Sequence, residues 1–403
     1  MKYIIFLGDG MADLPVAELG GRTPLEVAVK PTMDSIARDG ACGRFITVDD
    51  DMPPGSEVAN LSVLGYNARI CYQGRGVIEA AAMGVPLSET DVGMRCNLVC
   101  LDDGRIRNHS AGHIPSADAH QLVRFLNARL IPGGAKLYPG VSYRHLLVLS
   151  SGSADLDCAP PHDHVGERAE DLLVKPRSAD AAPTADLLND LIRRSWKLLA
   201  DHPLNRTRVR EGKDPANSIW PWSPGHRTRM QTFKELYGFT GAVISAVDLI
   251  RGLGVYAGLE VINVPGATGL IDTNYEGKAD ACLDAIARHD FVFVHVEASD
   301  EAAHSRDVKQ KVQAIEFLDE RLIKRVVKTI HKQRSDTVIA LLPDHITPVE
   351  KGNHVHGAVP VAIMGPGFAP DVVQRYDELS VEVGSLGTLR GQEFFHTLIG
   401  RRH

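Results

Sequence analysis

Phe291-Val292-Phe293-Val294-His295-Val296, a long segment from Val308 to His331, and then Thr337-Val338-Ile339-Ala340-Leu341-Leu342 together decide the fold. The two short runs are apolar almost throughout and rich in β-branched and aromatic side chains, the composition of strands buried on both faces. Between them Val312, Ile315, Leu318, Leu322, Val326 and Ile330 recur at helical spacing and line one apolar stripe. Strand, helix, strand in that order reads as a βαβ unit of a parallel sheet. Working outward, Tyr3–Leu7, His145–Leu149 and Val359–Met364 have the same character and are expected to be further buried parallel strands, with another helix over Ala279–Arg288. Alternating strands and helices mean an α/β fold.

Composition limits what such a fold can serve. The chain has 403 residues, 44% hydrophobic and 24% charged, which is globular composition at a length that suggests two to three domains. Its 44 Lys and Arg against 51 Asp and Glu give a net charge of −7, so no global positive field draws it to nucleic acid or an anionic membrane. An anionic ligand would need a local cluster of cations. The cysteines Cys42, Cys71, Cys96, Cys100, Cys158 and Cys282 form no CxxC pair and read as reduced thiols, which makes a cytoplasmic location the expectation. The apolar run before Gly8 is too short for a signal peptide or a membrane span. From about residue 155 to 224 the chain is rich in Asp, Arg, Pro and Ala and carries a Trp220-Pro221-Trp222-Ser223-Pro224-Gly225 cluster read as turns. That segment is expected to belong to a separate lobe.

The residues that carry chemistry stand at strand ends, where open α/β sheets gather ligands. Asp9 follows the first strand and could hold a metal, or could close an Asx turn. Asp300 and His304, four apart at a helix start, share one face and could reach one ion, or form an ordinary surface pair. Asp344-His345 ends another apolar strand, and His354 or His356 precedes the last one. Mixed Asp and His ligands suit Mn²⁺ or Zn²⁺, and seven candidates are too many for one tetrahedral site, so two metals are implied, the arrangement that clamps an in-line displacement at phosphorus. Ser56, after Pro53-Pro54-Gly55, could be the nucleophile for such chemistry, or only the N-cap of a helix through Leu64.

The runs Gly8-Asp9-Gly10-Met11-Ala12-Asp13, Pro53-Pro54-Gly55-Ser56-Glu57-Val58-Ala59-Asn60, Gly212-Lys213-Asp214-Pro215-Ala216-Asn217, Pro265-Gly266-Ala267-Thr268-Gly269, Tyr275-Glu276-Gly277-Lys278 and Asp300-Glu301-Ala302-Ala303-His304 resemble, in order along nearly the whole chain, the archaeal-type cofactor-independent phosphoglycerate mutases of the alkaline phosphatase superfamily. The resemblance implies an alkaline-phosphatase-like, mostly parallel sheet flanked by helices. A dinuclear metal domain would span residues 1–70 plus 235–403, and an inserted α/β substrate lobe residues 71–234. It implies one ion on Asp9, Ser56, Asp344 and His345 and a second on Asp300, His304 and His354, the last histidine being selected over His356 by counting back from Pro360. Mn²⁺ is the first choice, with Zn²⁺, Co²⁺ or Mg²⁺ as alternatives, and no 2,3-bisphosphoglycerate is needed. Ser56 would be the catalytic nucleophile passing the phosphoryl group between the 3- and 2-positions of glycerate.

Arg95, His113, Arg144, Lys213 and Lys278 are the cations that could grip a small phosphorylated substrate. The chain departs from the family pattern at Ala303, at Ala358 and in Ser110-Ala111-Gly112-His113; the first two leave the ligands unchanged, and the third touches substrate choice. A hydrolase or mutase for another phosphorylated or phosphonylated metabolite, or a metal-stabilised binding protein, are the competing functions. The resemblance leaves the oligomeric state unassigned.

Overall fold

The computed structural model describes residues 1–333 and 336–401. The chain divides into two compact units, one formed by Met1–Tyr72 with the chain from Met230 onward, the other by Gln73–Arg229.

The first unit is built on an eight-stranded sheet in the order Glu260–Ile262, Gly241–Ile244, Phe291–Val296, Lys2–Gly8, Thr337–Leu342, Val359–Met364, Ala41–Ile46, Gly387–Arg390. The strand Lys2–Gly8 lies between the two strands of the predicted βαβ unit and pairs parallel with both. Ile4 and Phe6 on it, with Val292, Val294, Ile339 and Leu341, pack one face against Ala279, Cys282 and Ile286 of the helix Tyr275–Arg288 and against Ile315, Leu322, Val326 and Ile330 of the helical stripe seen in the sequence. That stripe runs through one element from Val308 to Gln333 which widens into a π-helical segment at Leu318–Ile323. The widening has a use. Asp319 accepts from the backbone N–H groups of Thr32 (3.2 Å) and Met33 (2.6 Å), first-turn donors of the helix Pro31–Arg38, which has no side-chain cap of its own.

One strand of this sheet departs from expectation. Val359–Met364 is antiparallel to both Thr337–Leu342 and Ala41–Ile46, not parallel. The residues between Leu342 and Val359 form no helix, so the chain makes no crossover to the far end of the sheet and must return in the opposite direction.

The second unit is an antiparallel sheet around the long strand Val92–Asp102, which pairs with Arg105–Asn108 and Arg144–Leu149 on one side and Ser218–His226 on the other. Its core joins Leu98, Leu147 and Ile219 to Leu122 and Leu126 of the helix Ser116–Arg129 and to Leu188, Leu191 and Leu199 of the helix Ala182–Ala200. Two expectations are corrected here. His145–Leu149 is a strand but an antiparallel one, and the Trp220–Gly225 cluster lies inside the strand Ser218–His226 instead of forming turns. An edge strand tolerates Pro221 and Pro224 because their missing N–H groups can face away from the ladder, and the pairing is interrupted between Gly93 and Arg95.

Candidate metal centre and nucleophile

Three adjacent parallel strands end in register, Gly8 beside Val296 and Leu7 beside Leu342, and the chemistry follows each end directly. After Gly8 comes Asp9. Gly10 (φ 56°) then turns left-handed and donates its N–H to Asp344 Oδ1 at 3.1 Å; a Cβ at this position would collide with the Asp300 carboxylate and the Thr347 hydroxyl. After Val296 the helix Ala298–His304 carries Asp300 in its first turn and His304 one turn later, with His304 Nε2 3.0 Å from Asp300 Oδ2. Asp344 and His345 follow the strand Thr337–Leu342. Ile346 then forms single bridges to Ala12 and to Val355, and this brings the loop bearing His354 over the same end of the sheet.

The structure brings all seven sequence-selected ligands together in two groups. In the first, His345 Nε2 lies 3.0 Å from Ser56 Oγ, 3.4 Å from Asp9 Oδ1 and 3.5 Å from Asp344 Oδ2. In the second, His354 Nε2 lies 3.1 Å from His304 Nε2 and 3.5 Å from Asp300 Oδ1. The His345 and His354 rings stack with centroids 3.8 Å apart and join the groups. His356 stands apart, its Nε2 donating to the Met52 carbonyl at 2.8 Å.

Ser56 does not serve as the helix cap. It is the first residue of the helix Ser56–Val63, Gly55 occupies the cap position, and no side-chain capping bond is made. Hydrogen-bond counting says what its hydroxyl does instead. Thr347 Oγ donates its one proton to Asp300 Oδ1 (2.8 Å), so it must accept from His345 Nδ1–H (3.0 Å). That leaves the lone pair of His345 Nε2 to accept from Ser56 Oγ–H. Four residues on, one helical turn away, Asn60 Nδ2 donates to the Ser56 carbonyl and to Asp344 Oδ2, both at 2.9 Å.

Asp9, Asp300 and Asp344 are each at most 4% exposed, and among the described residues no Lys or Arg pairs with any of them. Burial, with the charges of Asp344, Asp300 and Glu297, pushes Asp9 well above the usual carboxylate range. Burial acts the same way on Asp300, but hydrogen bonds from His304 and His354 outweigh it and hold that carboxyl well below. The hydrogen bond to Asp300 raises His304 to about 9, and burial lowers His345. Such a cluster needs cations. Asp9 Oδ1 is buried without a hydrogen-bond partner. His304 and His354 spend their Nδ1–H groups on the Gly352 and Pro54 carbonyls (both 2.9 Å), so their Nε2 atoms confront one another beside a carboxylate. Only a proton or a metal cation makes that arrangement favourable, and the Asp/His donor set fits divalent ions.

Sequence reasoning missed Thr347, which orients both His345 and Asp300, and His295, whose Nε2 sits 3.0 Å from Asp9 Oδ2. The signal for His295 was present: it is the one polar residue in the strand Phe291–Val296, and it is wholly buried. Burial holds it neutral, its pKa pushed down to about 3.

The five candidate substrate cations are dispersed. Lys278, in the first unit, is buried and donates to the His295 carbonyl at 3.0 Å. In the second unit Arg95 is buried 3.2 Å from Glu79 with its guanidinium 4.4 Å over Trp222, and Arg144 covers Tyr143 at 5.6 Å. His113 meets the same Tyr143 edge-on and follows Ala111 and Gly112 in a left-handed turn, all three with positive φ. Lys213 is exposed against Glu211 and lines, with His113, an open cavity of about 680 Å³.

The two candidate histidines near the last strand separate cleanly. His354→Ala is expected to lower the metal content of purified protein, whereas His356→Ala removes only a bond to the Met52 carbonyl and should leave it unchanged. Elemental analysis of both variants checks this, and equal content in the two would contradict the assignment.

Against known proteins, a family model for 2,3-bisphosphoglycerate-independent phosphoglycerate mutase matches residues 37–205. The chain is 50% identical to the 2,3-bisphosphoglycerate-independent phosphoglycerate mutase of Methanothrix thermoacetophila over 99% of this chain and 100% of that one. It is 44% identical to a probable enzyme of the same name from Geobacter sulfurreducens over the full length of both. Among solved structures, the PH0037 protein of Pyrococcus horikoshii superposes with a TM-score of 0.83 at 28% identity, covering 100% of this chain and 98% of that one. The cofactor-independent phosphoglycerate mutase of Thermoplasma acidophilum superposes with a TM-score of 0.69 at 27% identity, covering 99% of each chain.

Proposed function

Since the chain belongs to the family of 2,3-bisphosphoglycerate-independent phosphoglycerate mutases, we propose that Ser56 is its phosphoryl-accepting nucleophile and that the Asp/His groups around it are its metal ligands. The protein is an enzyme that interconverts 3-phosphoglycerate and 2-phosphoglycerate without 2,3-bisphosphoglycerate, and it depends on divalent metal. The single observation that carries the assignment of Ser56 is its hydroxyl donating to His345 Nε2 at 3.0 Å, at the first residue of a helix and free of any capping duty.

In the first half-reaction Ser56 Oγ forms a bond to phosphorus while the bond from phosphorus to the glycerate 3-oxygen breaks, and the serine proton ends on that 3-oxygen, leaving phosphoserine and glycerate. In the second, the glycerate 2-hydroxyl attacks the same phosphorus, Ser56 Oγ leaves, and the 2-hydroxyl proton returns to it. Bound at Asp9, Ser56, Asp344 and His345 and at Asp300, His304 and His354, two divalent ions, Mn²⁺ first among them, would supply charge neutralisation for the pentavalent phosphorus and lower the serine pKa. The chain contributes orientation. Asn60 ties the start of the nucleophile's helix to Asp344, Thr347 fixes the tautomer of His345, and the N–H groups at the N-terminus of Ser56–Val63 favour an anion there. His113, Arg144 and Lys213, exposed on the unit Gln73–Arg229, are assigned to the anionic groups of a ligand held by that unit, whereas Arg95 and Lys278 are buried and already engaged with Glu79 and the His295 carbonyl. Among the described residues no helix is long and apolar enough to cross a membrane; the cytoplasmic assignment is carried by the six cysteines, all free thiols.

Metal-loaded protein incubated with 3-phosphoglycerate and no added 2,3-bisphosphoglycerate is expected to form 2-phosphoglycerate with negligible free phosphate. Phosphate as the main product would make the enzyme a hydrolase, and no product at all would make it a binding protein.

A further inference from the structure

We propose that His295 is a positioning residue, whose Nε2–H holds Asp9 Oδ2 so that Asp9 Oδ1 is presented to the metal. The proposal rests on the reading of Asp9 as a ligand. Its basis is a chain of hydrogen bonds with one self-consistent assignment. Ser245 Oγ accepts the Val247 N–H at 3.0 Å and lies 3.2 Å from His295 Nδ1. His295 Nε2 lies 3.0 Å from Asp9 Oδ2 in a wholly buried setting. With Asp9 ionised, as a metal ligand must be, a lone pair on Nε2 facing its carboxylate would be repulsive with no water to relieve it. The proton therefore sits on Nε2, and Ser245 donates its own proton to Nδ1.

The backbone around this bond is pinned as well. Lys278 Nζ holds the His295 carbonyl at 3.0 Å, Leu7 pairs in register with His295, and Ser299 Oγ donates to the Asp9 carbonyl at 2.6 Å. With its carbonyl and one carboxylate oxygen engaged, Asp9 cannot rotate freely. Its remaining oxygen, Oδ1, is the buried atom left without a hydrogen-bond partner, 3.4 Å from His345 Nε2. Outer-shell hydrogen bonds of this kind fix ligand orientation, and losing one typically weakens metal binding about 10–100-fold.

The test titrates Mn²⁺ into full-length metal-free protein by calorimetry for wild type, His295→Leu, His295→Gln, Ser245→Ala and Asp9→Ala, with circular dichroism to establish folding. His295→Leu should weaken one of the two Mn²⁺ sites by about 10–100-fold and spare the other, while His295→Gln, which keeps an N–H donor in place of Nε2–H, should stay within about threefold of wild type. Steady-state kinetics should show a lower kcat for His295→Leu, with rescue in His295→Gln. Wild-type affinity in His295→Leu overturns the proposal, and so does equal loss in Leu and Gln variants, which would make His295 a ligand itself. Should His295→Leu fail to fold, Ser245→Ala decides: releasing Nδ1 must weaken the same site, and unchanged affinity overturns the idea. If Asp9→Ala retains both sites at full affinity, the reading of Asp9 as a ligand fails. If Asp9→Ala loses one site and His295→Leu loses none, only the role of His295 fails.

Discussion

Ser56→Ala is expected to reduce turnover by at least about a thousandfold while leaving the protein folded. The two effects separate because Ser56 is not a cap. Removing a capping serine costs about 0.5–2 kcal/mol, whereas Gly55 holds the cap position here and the Ser56 hydroxyl is bonded to His345, so the stability change should stay below about 0.5 kcal/mol. A loss of activity that tracked a loss of stability would therefore argue against a nucleophile. The positive counterpart is covalent. After rapid quenching with 3-phosphoglycerate, mass spectrometry should find phosphate on the peptide containing Pro53-Pro54-Gly55-Ser56-Glu57, and not on Ser62, which is buried with its hydroxyl turned back to the Val58 carbonyl in the same helix. Near-normal turnover in the alanine variant, or phosphate on another residue, would rule out the phosphoserine route.

Exhaustive chelation should abolish activity, and Mn²⁺ should restore it, with a characteristic pH signature. In the metal-free protein Asp300 raises His304 to about 9, above the ordinary value near 6.5. A raised histidine stabilises the folded metal-free protein fully below about pH 6.5, and that contribution is lost as pH rises through about 9. Metal runs the other way, because it must displace the His304 proton from Nε2. Affinity should climb by about one logarithmic unit per pH unit between about 7 and 9 and level off above. The gap in melting temperature between loaded and metal-free protein should widen over the same interval. A gap that stays constant from pH 7 to 9, or full activity after chelation, would contradict the assignment of His304.

What could be read from the sequence divides along physical lines. The strands Phe291–Val296 and Thr337–Leu342 and the cluster of acids and histidines that follows them were legible because burial on both faces enforces continuous apolar runs, and because carboxylates and imidazoles at strand ends stand out against them. Strand direction was not. An apolar run such as Val359–Met364 carries no mark of which way its neighbours travel, and only the absence of a helix before it hints at a return. The Trp220–Gly225 cluster misled because two prolines and a glycine are turn residues by local chemistry, while the free edge of a sheet removes the penalty. His295 escaped because its role depends on a hydrogen bond to a residue 286 positions away, and Thr347 because only its contact with Asp300, 47 positions away, marks out what its local bond to His345 is for.

The position of the strand Lys2–Gly8, flanked by Phe291–Val296 and Thr337–Leu342, also sets a timetable for biosynthesis. At about 5–20 residues per second, this first strand leaves the ribosome some tens of seconds before either neighbour exists. Gln73–Arg229, by contrast, is contiguous, and every strand of its sheet has emerged once Ser218–His226 is made. The nascent chain must therefore carry an unpaired, mostly apolar strand, open on both edges, throughout the period in which its middle can close its own core. A ribosome that stalled before Thr337 would hold a chain with every residue of Gln73–Arg229 present and the other unit still lacking Thr337–Leu342, one of the two neighbours of its central strand.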